Sequence, residues 1–265
     1  MFLSWWRRRR LRKLAAQPFP ERWEAILLEN VDHYVRMSDE RRAAIRRYVR
    51  LFVAERHWEG CNGLEMTDEV RVTISALVGT MMLGYPDVLF DHVPSILVYP
   101  TAYRVKNRRP TGGGAEIVGS QAREGEAWYR GPVILSWADV LEAAHGRGVP
   151  HNLVVHEFAH QLDMLDGADV DGMPPQPTVA ARRRWEEVLA KELAALRRAV
   201  DRGRPWLDPY GATEPAEFFA VASEAFFEAP SDLRELRPEL FSLLHDFYRV
   251  DPAEWLDGDR QDESI

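Results

Sequence analysis

The sequence predicts an α+β fold, mostly helical, with a small mixed β-sheet in its middle. Three observations carry this reading. Two long stretches, one before residue 90 and one after residue 138, repeat apolar residues at helical spacing. Short apolar runs lie between them, separated by proline and glycine. Capping residues stand directly before periodic segments.

Taken in order, residues 1–19 form a basic arm expected to be disordered and solvated, ending at the break Gln17-Pro-Phe-Pro20. Segment 21–58 reads as helical. Within it Ser38 is an N-cap, Asp39 and Glu40 occupy the first turn, and Ile45, Tyr48, Leu51 and Phe52 form the apolar face. Thr67 caps a second helix through Met82, and its near-continuous apolar residues (Val70, Val72, Ile74, Leu77, Val78, Met81) call for burial. Residues 95–100 read as a strand ending at a proline. A loop at 111–114, a strand at 115–118, a turn at 123–126 and a strand at 133–137 follow. Helices return at 138–146, 150–165, 178–201, 214–228 and 232–249. The organisation expected is one domain over 20–250, with a helical front at 20–90, a catalytic part at 91–250, and an acidic tail at 251–265.

The 265 residues are 46% hydrophobic and 29% charged, ordinary for a globular chain with a sizeable core. Cys61 is the single cysteine, so neither an internal disulfide nor a cysteine-built zinc site is open to the chain, and a reducing compartment fits. Residues 1–13 hold six cations and no acid. Removing those six from the net charge of −8 leaves −14 on the remainder. An acidic body argues against a nucleic-acid partner. No apolar run approaches the roughly 18 residues of a membrane span.

Residues 156–160 read His-Glu-Phe-Ala-His. Positions i and i+4 share a helix face, so His156 and His160 can aim two imidazoles at one ion. Zinc suits nitrogen ligands, and Glu157 lies beside the metal without having to ligate it. It can therefore accept a proton from a zinc-bound water whose pKa the metal lowers toward about 7. The apolar residues at 152–155, Leu162 and Leu165, with Gly167 as a stop, supply a half-buried helix to carry the motif.

Catalytic zinc takes three protein ligands and keeps one place open. The pattern H-E-x-x-H-x-x-G-x-x-H fails, because positions 163 and 166 are Asp163 and Asp166, though Asp166 remains a possible carboxylate ligand. A glutamate from a later helix is favoured instead. Thr213 can cap a helix with Pro215 in its first turn, and Glu217 stands among Phe218, Phe219, Val221 and Ala222, where a carboxylate wants a cation. Glu224, two turns on, can orient a ligand histidine. Tyr210 can donate a hydrogen bond to an oxyanion near the metal.

The motif, the Arg130-Gly-Pro-Val-Ile-Leu-Ser-Trp137 segment and the stretch from Pro215 to Phe227 together resemble the Mlc titration factor A family of bacterial cytosolic zinc peptidases. The resemblance runs from about residue 20 to 250 and leaves the basic arm outside. It implies a zincin-like metallopeptidase fold, its catalytic domain similar to that of anthrax lethal factor. It also implies one zinc on His156, His160 and Glu217, with Glu157 as catalytic glutamate. In the related toxin a tyrosine lies seven residues before the glutamate ligand, which here falls on Tyr210. The resemblance further implies aminopeptidase-type action on short peptides in the cytoplasm and binding of the Mlc repressor. A regulatory protein that sequesters a transcription repressor, with zinc secondary, is the alternative function. Some family members carry an additional histidine ligand near the middle strands, and residues 117–120 here have none.

Other signals carry less. The glycines at 114 and 119 have P-loop spacing, but Ser120-Gln121 stands where lysine and a hydroxyl residue are needed. His33, His57, His92, His145, His151 and His245 lack a ligand-spaced partner and read as structural or exposed.

Overall fold

The computed structural model describes residues 2–101, 131–146, 151–167 and 169–256, with side chains from Trp5 onward. The loop, strand and turn expected between 111 and 126, and the tail beyond 256, lie outside the described residues.

The first segment departs from expectation. Phe2–Ala15 is a helix, α1, not a disordered arm. Two of its six cations find carboxylates that are remote in sequence. Arg7 meets Glu55 at 2.8 Å and Asp91 at 2.5 Å, Arg10 also pairs with Glu55, and Leu11 and Leu14 pack on the core. These contacts lower the self-repulsion of the arginine run and anchor it.

Segment 21–58 divides into α2 (Glu21–Asn30), α3 (Asp32–Arg36) and α4 (Asp39–Glu55). Ser38 caps α4 by accepting from the Arg41 amide at 3.4 Å. The helical reading fails at its end. His57–Gly60 is a strand, β1, because its backbone groups pair with a second strand some forty residues later. Thr67 caps α5 (Asp68–Met81) as expected, and α5 is buried along almost its whole length. Gly79 lets α4 lie close: a Cβ there would stand 3.1 Å from the Tyr48 ring.

β2 (Ser95–Tyr99) and β3 (Val133–Ser136) complete a three-stranded sheet of order β1-β2-β3. Both pairings are parallel, with His57 opposite Ser95 and Ile96 opposite Val133. The candidate strand at 115–118, which would decide whether the sheet is mixed, lies outside the described residues. The central strand turns Ile96 and Val98 into the core.

The rest of the chain is helical: α6 (Trp137–Ala144), α7 (Leu153–Asp163) with a 3₁₀ turn at Met164–Asp166, α8 (Val179–Asp201), α9 (Pro215–Glu228), α10 (Pro230–Leu236), α11 (Pro238–Tyr248) and α12 (Ala253–Leu256). The single helix expected over 232–249 is two, because Pro238 has no amide hydrogen to continue α10 and instead opens α11. Thr213 does not cap α9. Glu214 holds that position with no side-chain bond, and the Thr213 hydroxyl donates to the Tyr210 carbonyl in a 3₁₀ turn over Pro209–Ala212.

One core joins these parts. α5 packs against α4 and α7, and α7 lies along α9. Phe218, Phe219, Phe226 and Phe227 of α9 are fully buried. Each such side chain contributes roughly 1.5–3 kcal/mol, enough to hold α9 in place while it carries acidic groups out of water. Tyr248 of α11 pins α9 further, its hydroxyl donating to Ser223 at 2.7 Å. Gly172 ties three helices together. Its amide donates to Asp163 at the end of α7, its carbonyl accepts from the Trp185 indole of α8, and its Cα faces the carbonyl of Pro215 at the start of α9. No helix among the described residues is long and apolar enough to cross a membrane.

Candidate metal centre

α7 and α9 build the site together. Asn152 caps α7, its side-chain oxygen accepting from the Val155 amide at 3.0 Å. Val154, Val155, Phe158, Ala159 and Leu162 anchor the helix in the core. His156 and His160 are left on the face toward α9, with their ring centroids 5.0 Å apart. Pro215 starts α9, and Glu217 lies in its first turn.

Three ligand-type atoms converge there. Glu217 Oε2 lies 3.1 Å from His156 Nε2 and 3.5 Å from His160 Nε2. No other group of three such residues comes together among the described residues, and the ligand atoms of these three all lie within 4.8 Å of one another. The buried Glu217 Oε2 makes no directed hydrogen bond despite these approaches. A tetrahedral zinc with nitrogen and oxygen ligands near 2.0–2.1 Å has ligand–ligand edges of about 3.3 Å. The two approaches of Glu217 bracket that edge. Two imidazoles and a carboxylate are also the donor set of an open catalytic zinc site, so these residues fit a divalent cation.

The electrostatics match. Burial alone would raise the Glu217 carboxyl, but the imidazoles of His156 and His160 outweigh it and hold it below the ordinary range. Burial likewise opposes charge on His156, yet Glu217 and Glu224 push its pKa up to about 10. Positive charge is thus favoured at this point of the site.

Glu224 lies where its spacing suggested. It accepts from His156 Nδ1 at 2.7 Å, which leaves Nε2 free toward Glu217. Its other oxygen accepts from the Asn152 amide at 2.6 Å and meets His151 at 2.9 Å. Glu224 is 2% exposed, and these donors offset the cost of burying its charge.

Tyr210 lies over the site, its ring 6.1 Å from that of His156 and inclined by 30°. Burial and the charge of Glu217 keep its hydroxyl protonated well above the ordinary tyrosine range, as a donor requires. Glu157 is part-buried, and its charge acts on both His156 and Tyr210. Asp166, the alternative ligand, is exposed and stands outside the cluster.

The sequence reading missed a layer behind the site. His151, read as structural or exposed, is exposed and pairs with Glu224 at 2.9 Å. Asn152 Nδ2 donates to Glu228 at 2.7 Å, and Glu228 meets the buried His33 at 3.5 Å. His92 bonds Gln161, next to His160 in the chain. One signal was available: Glu217, Glu224 and Glu228 form an acidic stripe at helical spacing on an otherwise apolar segment.

A family model for the glucose-regulated metallo-peptidase M90 matches residues 3–249. The match takes in most of α1, which the expected resemblance left outside. Mlc titration factor A of Pectobacterium atrosepticum is 30% identical over 237 residues, 88% of this chain and 87% of that protein. The protein of that name from Serratia proteamaculans is 34% identical over 195 residues, 72% of each. An uncharacterized Synechocystis protein is 34% identical over 253 residues, 95% of this chain and 90% of its own.

Proposed function

We propose, for a chain that belongs to the glucose-regulated metallo-peptidase M90 family, that it hydrolyses peptide bonds with zinc held by His156, His160 and Glu217. The observation that carries this is the convergence of Glu217 Oε2 with both Nε2 atoms across the α7–α9 contact. When bound, the cation supplies a Lewis acid for the scissile carbonyl and an acidified water. The protein's own groups do the rest. Glu157 takes the proton of the attacking water and passes it to the leaving amine. Tyr210, which keeps its proton, donates to the oxygen that gains charge as the carbonyl turns tetrahedral. Glu224 fixes the tautomer of His156, so that Nε2 faces Glu217 and would be available to hold the cation.

The substrate class we favour is short peptides cleaved from the amino end, in the cytoplasm, as the family resemblance implies. The working unit is one domain over 20–250, with the helical front at 20–90 supporting the catalytic part at 91–250 through the α5–α7 contact. A second reading comes from the relatives' name: capture of a transcription repressor of the Mlc kind. The two roles are compatible, but repressor capture alone gives no use to Glu157 beside the histidines, which favours the enzyme.

Elemental analysis of purified variants tests the site. His156→Ala and Glu217→Ala lose zinc, and Asp166→Ala keeps it. Full occupancy in the first two variants would overturn the assignment. With o-phenanthroline, peptidase activity disappears and added zinc restores it. Repressor binding that persists without metal, in a protein that cleaves no peptide, would favour the regulatory reading instead.

A further inference from the structure

We propose that α1 docks the protein on an anionic lipid surface. The helix has two faces. Arg7 and Arg10 turn inward to Glu55 and Asp91, and Leu11 and Leu14 pack on the core. At about 100° per residue, Trp5, Trp6, Arg9, Arg12 and Lys13 occupy a single arc of about 120° on the opposite side. Trp5 is 48% and Trp6 60% exposed, while Arg8, Arg9, Arg12 and Lys13 are exposed with no carboxylate partner among the described residues. The Arg9 guanidinium lies over the Trp5 ring at 5.6 Å.

Exposed indoles are costly in water and partition into the headgroup zone of a bilayer, where ring and N–H are both satisfied. Four free cations beside them suit lipid phosphates. The remainder of the chain carries a net −14, so an anionic surface repels the body as a whole and draws in the cations of α1. The charge pattern therefore attracts and also orients. Duplex nucleic acid would use the same cations, but it gives two adjacent solvent-facing indoles no apolar phase to enter. The attachment is peripheral and reversible, since a helix of 14 residues lying in the interface does not span the bilayer.

Vesicle co-sedimentation of the full chain tests this. Phosphatidylcholine vesicles with about a third phosphatidylglycerol retain the protein at ~0.1 M salt, pure phosphatidylcholine vesicles do not, and ~0.5 M salt releases it. The combined Arg9→Gln, Arg12→Gln and Lys13→Gln variant keeps Arg7, Arg10 and the leucines, so α1 stays docked on the body. At about fivefold per cation, its partition falls by about 100-fold. Trp5→Ala with Trp6→Ala also weakens binding and removes the blue-shifted part of the fluorescence that wild type gains on vesicles. A control that removes three cations from α8 (Arg182→Gln, Arg183→Gln, Arg198→Gln) leaves partition within about twofold. Zinc content and peptide turnover are unchanged in all of them. The proposal is overturned if wild type ignores the anionic vesicles, if the α1 and α8 variants lose binding equally, or if duplex DNA is bound while vesicles are not.

Discussion

Replacing Glu224 by glutamine tests how the site is held. The carboxylate faces donors on both oxygens: His156 Nδ1 at 2.7 Å on one, the Asn152 amide at 2.6 Å and His151 at 2.9 Å on the other. An amide has one acceptor oxygen. If it serves Asn152 and His151, the NH₂ meets His156 and forces Nδ1 to accept, which moves the imidazole proton to Nε2, the atom aimed at Glu217. If it serves His156, a buried NH₂ opposes the Asn152 N–H, at about 1–3 kcal/mol. Either way the ligand set is weakened, and loss of such a supporting partner costs about 10–100-fold in metal affinity, or about 1.4–2.7 kcal/mol. Competition against a chromophoric chelator measures it, with Glu235→Gln on the exposed side of α10 as control. Affinity of Glu224→Gln within about twofold of wild type would refute the tautomer argument, even if the melting temperature fell.

Glu157→Gln keeps zinc by elemental analysis but loses about 10²–10⁴-fold in kcat on short peptides, because an amide cannot take the water's proton. Tyr210→Phe lowers kcat more than it raises KM, and equal kcat would remove Tyr210 from the oxyanion role. The pH dependence follows from His156, whose pKa Glu217 and Glu224 push up to about 10. A raised pKa means that its stabilising charge is fully present below the ordinary histidine value of about 6.5 and is lost as pH rises through about 10. Metal needs the neutral ring, so binding near pH 7 releases about one proton, measurable by titration calorimetry in two buffers of different ionisation enthalpy. A proton count near zero would contradict it.

Much of this site was legible because its geometry is local. His156 and His160 share a helix face by spacing alone, and Glu217 stood out as a carboxylate among phenylalanines. The remainder depended on contacts between distant segments. Nothing near His57 declares a strand, since β1 exists only by pairing with β2. The arginines of α1 suggest a solvated arm until Glu55 and Asp91 are brought beside them. His151 finds Glu224 seventy-odd residues away, a distance no local pattern spans. Pro238 marks a break in the sequence, but the apolar period runs on across it and masks the change of helix.

Gly172 has a consequence for how variation in this chain is interpreted. It sits at φ +77°, and a Cβ added there would stand 2.4 Å from the Pro215 carbonyl. Any side chain must part this loop from the start of α9. Because α9 is held in the core by its phenylalanines and by Tyr248, the strain falls on its first turn, where Glu217 stands, and on the contacts of Gly172 with Asp163 and Trp185. A natural variant at this position would disturb the turn that carries Glu217 as well as the packing of three helices. Yet the residue has no side chain, touches no substrate, and would be passed over by any search for reactive groups.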